Sequence, residues 1–264
     1  LEEADAGELA LVDAADALRA GEARRMRASA SLMLTDASSP VGLALAGASY
    51  IRLGNAEAAA RALTLSSGAA PDFLAPVLLH AALLEGGGDE DGATALLRAF
   101  LARHAESDRA HLALARIEAK AGDMQNAADS FAKIPPDRIF NDEELAALYG
   151  AAAKAAGGEA LSAMEKSARA AASSPRILGF ALAAAGDDAG AAAAFRQAVI
   201  AGPADPDLAR LYLESMSALG RAGEALSLLA EIEHRRDLDP ARRDRPTAEA
   251  EPPKIVDSKV NIRQ

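Results

Sequence analysis

The sequence predicts an all-α protein, a solenoid of about six to seven antiparallel helix pairs, on two observations. The first is a repeated turn, because Gly54, Gly88 and Gly122 follow one another at intervals of 34 residues and each precedes a polar residue. Gly186 and Gly220 repeat that interval, and a period in the low thirties with such turns indicates a helical repeat array. The second is composition: 50% of the residues are apolar but only 3% are aromatic, so Ala and Leu dominate and favour helix.

Composition also excludes several classes of protein. A net charge of −11 argues against nonspecific binding to nucleic acid or to an anionic membrane surface. The chain has no Cys, so we expect no disulfide, no thiol chemistry and no Cys-based zinc site. No apolar run reaches the roughly 20 residues that a membrane-spanning helix needs. The absence of Cys fits the cytoplasm and the periplasm equally, and the start at Leu1 indicates a processed or trimmed N-terminus, so the location stays open.

The chain divides into three predicted segments. Residues 1–38 show helical apolar spacing that breaks near Gly21, and we expect a degenerate helix pair that caps the array, since the outer face of a terminal repeat meets water. Residues 39–236 carry the repeats. Residues 237–264 are rich in Pro and charge, and we expect an extended tail. The β-prone residues near its end are either the junction to a removed segment or a docking strand that folds back on the array.

Local signals mark where individual pairs begin and end. Ser39-Pro40 and Asp205-Pro206 each place a helix-capping side chain before a proline at the first helical position. Pro135-Pro136 should stop the second helix of the fourth pair early. Asn141, with Glu144 three residues later, is predicted to cap the first helix of the fifth pair.

Two sets of residues share a register along the pairs. Small residues occupy one position of the first helices, namely Gly47, Ala81, Ala115, Gly150 and Gly179. In each second helix an Ala is followed four residues later by a large side chain, namely Leu63, Leu97, Phe131, Met164, Phe195 and Leu229. This pattern resembles the tetratricopeptide repeat (TPR) family, in which the small residue lies where the second helix crosses the first closely. The resemblance covers about residues 39–236 and implies a right-handed superhelix whose concave face is lined by the first helices.

Two pairs depart from this pattern. Three positions after the small residue, the first helix usually carries a large side chain, here Tyr50, Leu84, Leu182 and Met216. Glu118 and Ala153 occupy that position in the fourth and fifth pairs. We therefore expect these two pairs to pack more loosely at this point.

The family resemblance implies protein binding on the concave face. The inward positions carry apolar and basic side chains and few acids, so we expect a groove with an apolar floor and basic walls. Such a groove suits an extended or helical peptide that carries acidic groups or a free carboxylate. The alternative is that each of these cations is solvated helix surface. The predicted groove residues are Arg52, Leu79, Arg109, Leu112, Arg116, Lys120, Leu148, Lys154, Arg176, Phe180 and Arg210.

No catalytic residue, cofactor or metal ion is expected. None of the four His has a second His four residues further on, and the glycine-rich stretch before Asp89 lacks the Gly-Lys-Ser/Thr of a phosphate loop. We therefore predict a noncatalytic scaffold that binds a protein or peptide, with assembly of a bacterial envelope complex as one setting that the composition permits. The alternative is the substrate-recruiting part of a larger enzyme or regulator whose other domain lies outside this chain. The oligomeric state is not predicted.

Overall fold

The protein is described here by a computed structural model that covers residues 6–35 and 39–237. The predicted tail therefore lies, apart from its first residue, outside the described part of the chain. The first eight helices are Ala6–Ala20 (α1), Ala23–Thr35 (α2), Pro40–Arg52 (α3), Ala56–Ala69 (α4), Leu74–Gly86 (α5), Glu90–Leu101 (α6), Asp108–Lys120 (α7) and Met124–Phe131 (α8). The remaining helices are Pro136–Ile139 (α9), Glu143–Ala156 (α10), Gly158–Ala171 (α11), Pro175–Ala185 (α12), Asp188–Ala201 (α13), Pro206–Ala218 (α14) and Ala222–Asp237 (α15).

These helices form seven antiparallel pairs, and α9 is a single extra turn between the fourth and fifth pairs. The two helices of a pair are joined by a short turn that contains a glycine with positive φ, such as Gly54 at 71° or Gly122 at 82°. An L side chain is strained in this backbone region, which explains why glycine recurs there. The predicted all-α solenoid of helix pairs and its repeated glycine turns are confirmed.

The pairs stack in one direction, and each contacts mainly its neighbours. The first helices of successive pairs contact one another from α1 through α3, α5, α7 and α10 to α12. The second helices pack chiefly onto the first helix of their own pair and onto that of the next pair. The first helices thus form a layer of their own along the array, and we call its outward surface the first-helix face.

Side-chain caps begin several helices where the sequence predicts them. Ser39 Oγ accepts a hydrogen bond from the Gly42 backbone N–H at 3.2 Å, which starts α3. Asp205 does the same for α14, since its carboxylate accepts from the Leu208 N–H at 3.2 Å. The prediction at Asn141 is wrong by one residue: Asp142 is the cap of α10.

The predicted close crossing within a pair is confirmed at two glycines. A methyl group at Gly47 would lie 2.5 Å from Leu63 Cδ2, and one at Gly179 would lie 2.4 Å from Phe195 Cε1. Leu63 and Phe195 are fully buried in these contacts. The small residue therefore makes room for the large side chain of the second helix, as the repeat pattern requires.

Gly150 has a different neighbour from the one its register predicts. A methyl group there would lie 2.3 Å from the backbone oxygen of Ala181, which belongs to α12 and not to the partner helix α11. The short, small side chains of α10 and α12 let these two first helices approach closely, and α10 packs more extensively on α12 than on α11. Gly150 therefore allows a close contact between the fifth and sixth pairs, and not between the two helices of one pair.

The expectation of looser packing at Glu118 and Ala153 is also wrong. Ala153 is fully buried in the largest core cluster of the described residues. The Glu118 side chain is 3% exposed and accepts hydrogen bonds from Arg98 at 2.7 Å and from Ser130 at 2.8 Å. A hydrogen-bonded carboxylate fills the position that a large apolar side chain fills elsewhere.

The proline pair ends α8 early, as predicted. The chain leaves the helix after Phe131, and Pro136 then begins the single turn α9. Phe140 follows this turn and is fully buried against Tyr149, with ring centroids 6.0 Å apart. The interruption therefore brings an extra aromatic ring into the core between the fourth and fifth pairs.

Candidate functional site

The apolar residues predicted for the groove form a row along the first-helix face. Each of the four is half-buried, so part of each side chain is in the core and part is open to a ligand. Leu112 and Leu148 pack against one core cluster. Phe180 meets the edge of Phe195, with centroids 5.7 Å apart and planes at 88°. With Leu79 on α5, the row extends over four successive pairs.

Arg176 ties three successive pairs together on this face. Its Nε lies 2.6 Å from a Glu143 oxygen on α10, and its Nη1 lies 2.5 Å from an Asp205 oxygen at the start of α14. Its guanidinium also lies over the Phe180 ring, 5.8 Å from the centroid. The backbone N–H of Leu208 and the nearby Arg176 charge lower the pKa of Asp205 below its ordinary value. Arg176 is therefore held in place before any ligand arrives.

Three more of the predicted groove cations have carboxylate partners. Lys120 Nζ lies 2.5 Å from a Glu85 oxygen of the preceding pair. Arg116 reaches forward to Glu144 of the following pair at 3.5 Å. Arg210 pairs within its own helix with Glu214 at 2.7 Å. Such exposed pairs contribute little stability, about 1 kcal/mol or less each, but they reduce the free positive charge of the face.

The last three cations have no carboxylate partner among the described residues. Arg52 donates to the Leu18 carbonyl oxygen of the first pair at 2.9 Å. Lys154 lies over the glycine turn after α12, where its Nζ would be 2.8 Å from a methyl group at Gly186. Arg109 is exposed and has no ion pair or side-chain hydrogen bond within the described part of the chain. Its guanidinium group is therefore available to a ligand.

The expected scarcity of acids on the face is therefore corrected. The predicted cations are all on the first helices, as expected, but four of the seven are paired with acids, three of them with acids of adjacent pairs. Glu143 and Asp205 were missed because they lie at helix starts, one turn before the inward positions that the repeat register assigns. A search for acids at the N-termini of first helices would have found them.

The described residues show no arrangement that suits metal binding. No group of three or more His, Asp or Glu side chains comes together there in a way that could hold a metal ion. Across the described helices, none is both long and apolar enough to cross a bilayer.

Together, the paired helices, the glycine turns and the close crossings at Gly47 and Gly179 define a TPR-like α-solenoid. Comparison with models of protein families and with curated proteins finds no match. Among solved structures, the chain is similar to one in the crystal structure of the APC/C hetero-tetramer Cut9-Hcn1, at 16% identity and a TM-score of 0.42. The match covers 88% of this chain and 47% of that one, so the present chain spans about half its length. The class therefore rests on the geometry of the chain itself.

Proposed function

We propose that the chain is a noncatalytic scaffold that binds a protein segment along the first-helix face. The observation that supports this most is the row of half-buried apolar side chains across four pairs, flanked by charged residues that are already tied between pairs. A ligand placed on this row would bury the exposed part of each apolar side chain, which is the main source of affinity in such grooves. Because the flanking side chains are already ordered, binding loses less conformational entropy there.

The preferred ligand carries acidic groups opposite Arg109 and Arg116. Arg109 has no partner among the described residues, and Arg116 has only a long contact to Glu144 in which both side chains stay largely exposed. A carboxylate on the ligand would give both guanidinium groups a charge-assisted hydrogen bond. The parts of the face where the cations are already paired with carboxylates would add contact area but little selectivity for charge.

Assembly of a bacterial envelope complex is the setting that we propose, on the composition alone. Recruitment of a substrate for an enzyme domain outside this chain would use the same face. The identity of the captured partner separates these two roles.

The test combines site-specific crosslinking with charge reversal. A photoreactive amino acid at Leu79 or Leu148 should crosslink a partner in native lysate, and the same group at Arg61 on α4 should not. The partner, once identified and purified, should then bind Arg109→Glu/Arg116→Glu about tenfold or more weakly, because two attractive contacts become repulsive. The matched control Arg61→Glu/Lys166→Glu changes the net charge equally on second helices and should keep full affinity.

Equal binding by both double variants would overturn the assignment of the face. Circular dichroism melts of all variants exclude loss of fold as the cause, because the four substituted side chains are exposed.

A further inference from the structure

Three buried polar side chains come together in the fourth pair at positions that are apolar in the other aligned pairs. They are His111 and Glu118 on α7 and Ser130 on α8, and each is less than a tenth exposed. Burying a polar group without need lowers stability, so packing alone does not account for three of them in one place. Their equivalents are Leu43, Val77, Ala146, Pro175 and Ala209 for His111; Tyr50, Leu84, Ala153, Leu182 and Met216 for Glu118; and Ala62, Leu96, Ala163, Ala194 and Leu228 for Ser130.

The three side chains are held in fixed orientations. Glu118 accepts from Arg98 through one carboxylate oxygen and from Ser130 through the other. His111 Nε2 lies 2.8 Å from the Ala105 carbonyl oxygen, and a carbonyl only accepts, so Nε2 carries the hydrogen. The buried Nδ1 on the other side of the ring has no partner among the described residues.

These side chains line a pocket of about 520 Å³ that opens between the second helices α6 and α8. This volume lies in the range of small-molecule sites, roughly 300–1,000 Å³. The pocket is on the opposite side of the array from the first-helix face, since its walls come from α6, α8 and the side of α7 that contacts these two second helices.

The rim of the pocket carries separated charges of both signs. Asp129 and Lys133 line it one helical turn apart, yet no ion pair joins them. Asp129 accepts only a long hydrogen bond from Gln125, at 3.5 Å, and Lys133 has no side-chain partner among the described residues. Arg98 adds a second cation, because its side chain is half exposed and only one of its nitrogens is bonded to Glu118.

We propose that this pocket binds a small zwitterion of the α-amino-acid class. Lys133, with the exposed part of Arg98, receives the carboxylate of the ligand, and Asp129 receives the ammonium group. Arg98 and Glu118 already pair with each other, so Lys133 and Asp129 are the unmatched cation and anion of the rim, and a simple anion or a simple cation would leave one of these two charges without a partner.

The test measures binding of the twenty free amino acids one at a time, first by thermal shift and then by calorimetry. At least one is expected to bind. For that amino acid, the amine without the carboxylate and the acid without the ammonium should each bind about tenfold or more weakly, because each loses one charge-assisted contact. Inorganic phosphate serves as the anion probe and should bind weakly.

Two charge reversals locate the site. Lys133→Glu and Asp129→Lys should each lower affinity about tenfold or more, whereas Lys166→Glu on α11 should leave it unchanged. Both rim residues are exposed, so these variants keep the fold. The proposal is overturned if no amino acid binds at millimolar concentration, if either reversal leaves affinity unchanged, or if phosphate binds as well as the zwitterion. Arg109→Glu/Arg116→Glu should not alter this binding, so the test is independent of the proposed function.

Discussion

Replacing Gly150 by Ala probes the closest approach between two pairs. The added methyl group would lie 2.3 Å from the Ala181 carbonyl oxygen, against the roughly 3.3 Å at which carbon and oxygen normally meet, so α10 and α12 must separate by about 1 Å. Overpacking of this kind costs about 1–3 kcal/mol, and the better helix propensity of Ala offsets up to about 1 kcal/mol. We expect a net loss of about 1–2 kcal/mol in the free energy of unfolding.

Urea denaturation followed by circular dichroism measures this loss. The matched control is Gly68→Ala on α4, where a methyl group would meet no atom within 4 Å. With no contact to disturb, the control should gain stability, by about 0.4–1 kcal/mol. Because the clash at Gly150 is with backbone, no shortening of a nearby side chain should rescue it. If Gly150→Ala proves as stable as Gly68→Ala, α10 and α12 are not in close contact and the account of this crossing fails.

Three further predictions concern other positions. Gly179→Ala should lower the free energy of unfolding, because the added methyl group and the Phe195 ring compete for one space. Phe195→Leu should therefore destabilise the Gly179→Ala variant less than it destabilises the wild type. Additive losses in a double-mutant cycle would contradict this. Ser39→Ala should lower the unfolding free energy by about 1 kcal/mol through loss of a helix cap, with Ser39→Asp as the control that keeps it. Asp205 has a pKa lowered mainly by the Leu208 N–H, so the unfolded chain takes up the proton first as pH falls. The stability advantage of wild type over Asp205→Asn should be complete above the ordinary pKa of 3.8 and disappear as pH falls below it; a pH-independent difference would refute the charge effect.

The parts of the fold that sequence predicts well are those that depend on local chemistry. A turn at Gly54 needs positive φ and a helix start at Ser39 needs a capping oxygen, and both requirements involve only residues within a few positions. The crossing of Gly47 with Leu63 is also within one pair, so the repeat register is enough to find it.

The features that sequence missed arise between pairs. Gly150 follows the same register as Gly47, but its neighbour depends on how far α10 and α12 approach, which the irregular spacing around them changes. Glu118 appeared as a defect because its partners Arg98 and Ser130 come from two other helices. A polar residue in an apolar position of a repeat is therefore a signal to search the adjacent second helices for matching donors.

For the predicted groove, too, the sequence did not predict the contacts between pairs. The register correctly assigned the cations to the first helices, since that depends on position along one helix. Their availability depends on residues such as Glu85 and Asp205 in adjacent pairs, which a count of charges in one repeat does not include. That Arg109 has no carboxylate partner among the described residues is therefore known only from the structure.

The tight packing of α10 on α12 gives the array an uneven response to mechanical load. Within the described residues, contacts run mainly between neighbouring pairs, so a force applied at the two ends passes through each junction in turn. The largest core cluster joins the fourth, fifth and sixth pairs, whereas a separate, smaller cluster holds the first two pairs. The first two pairs share the smallest of these clusters, so under tension they should open before the central pairs.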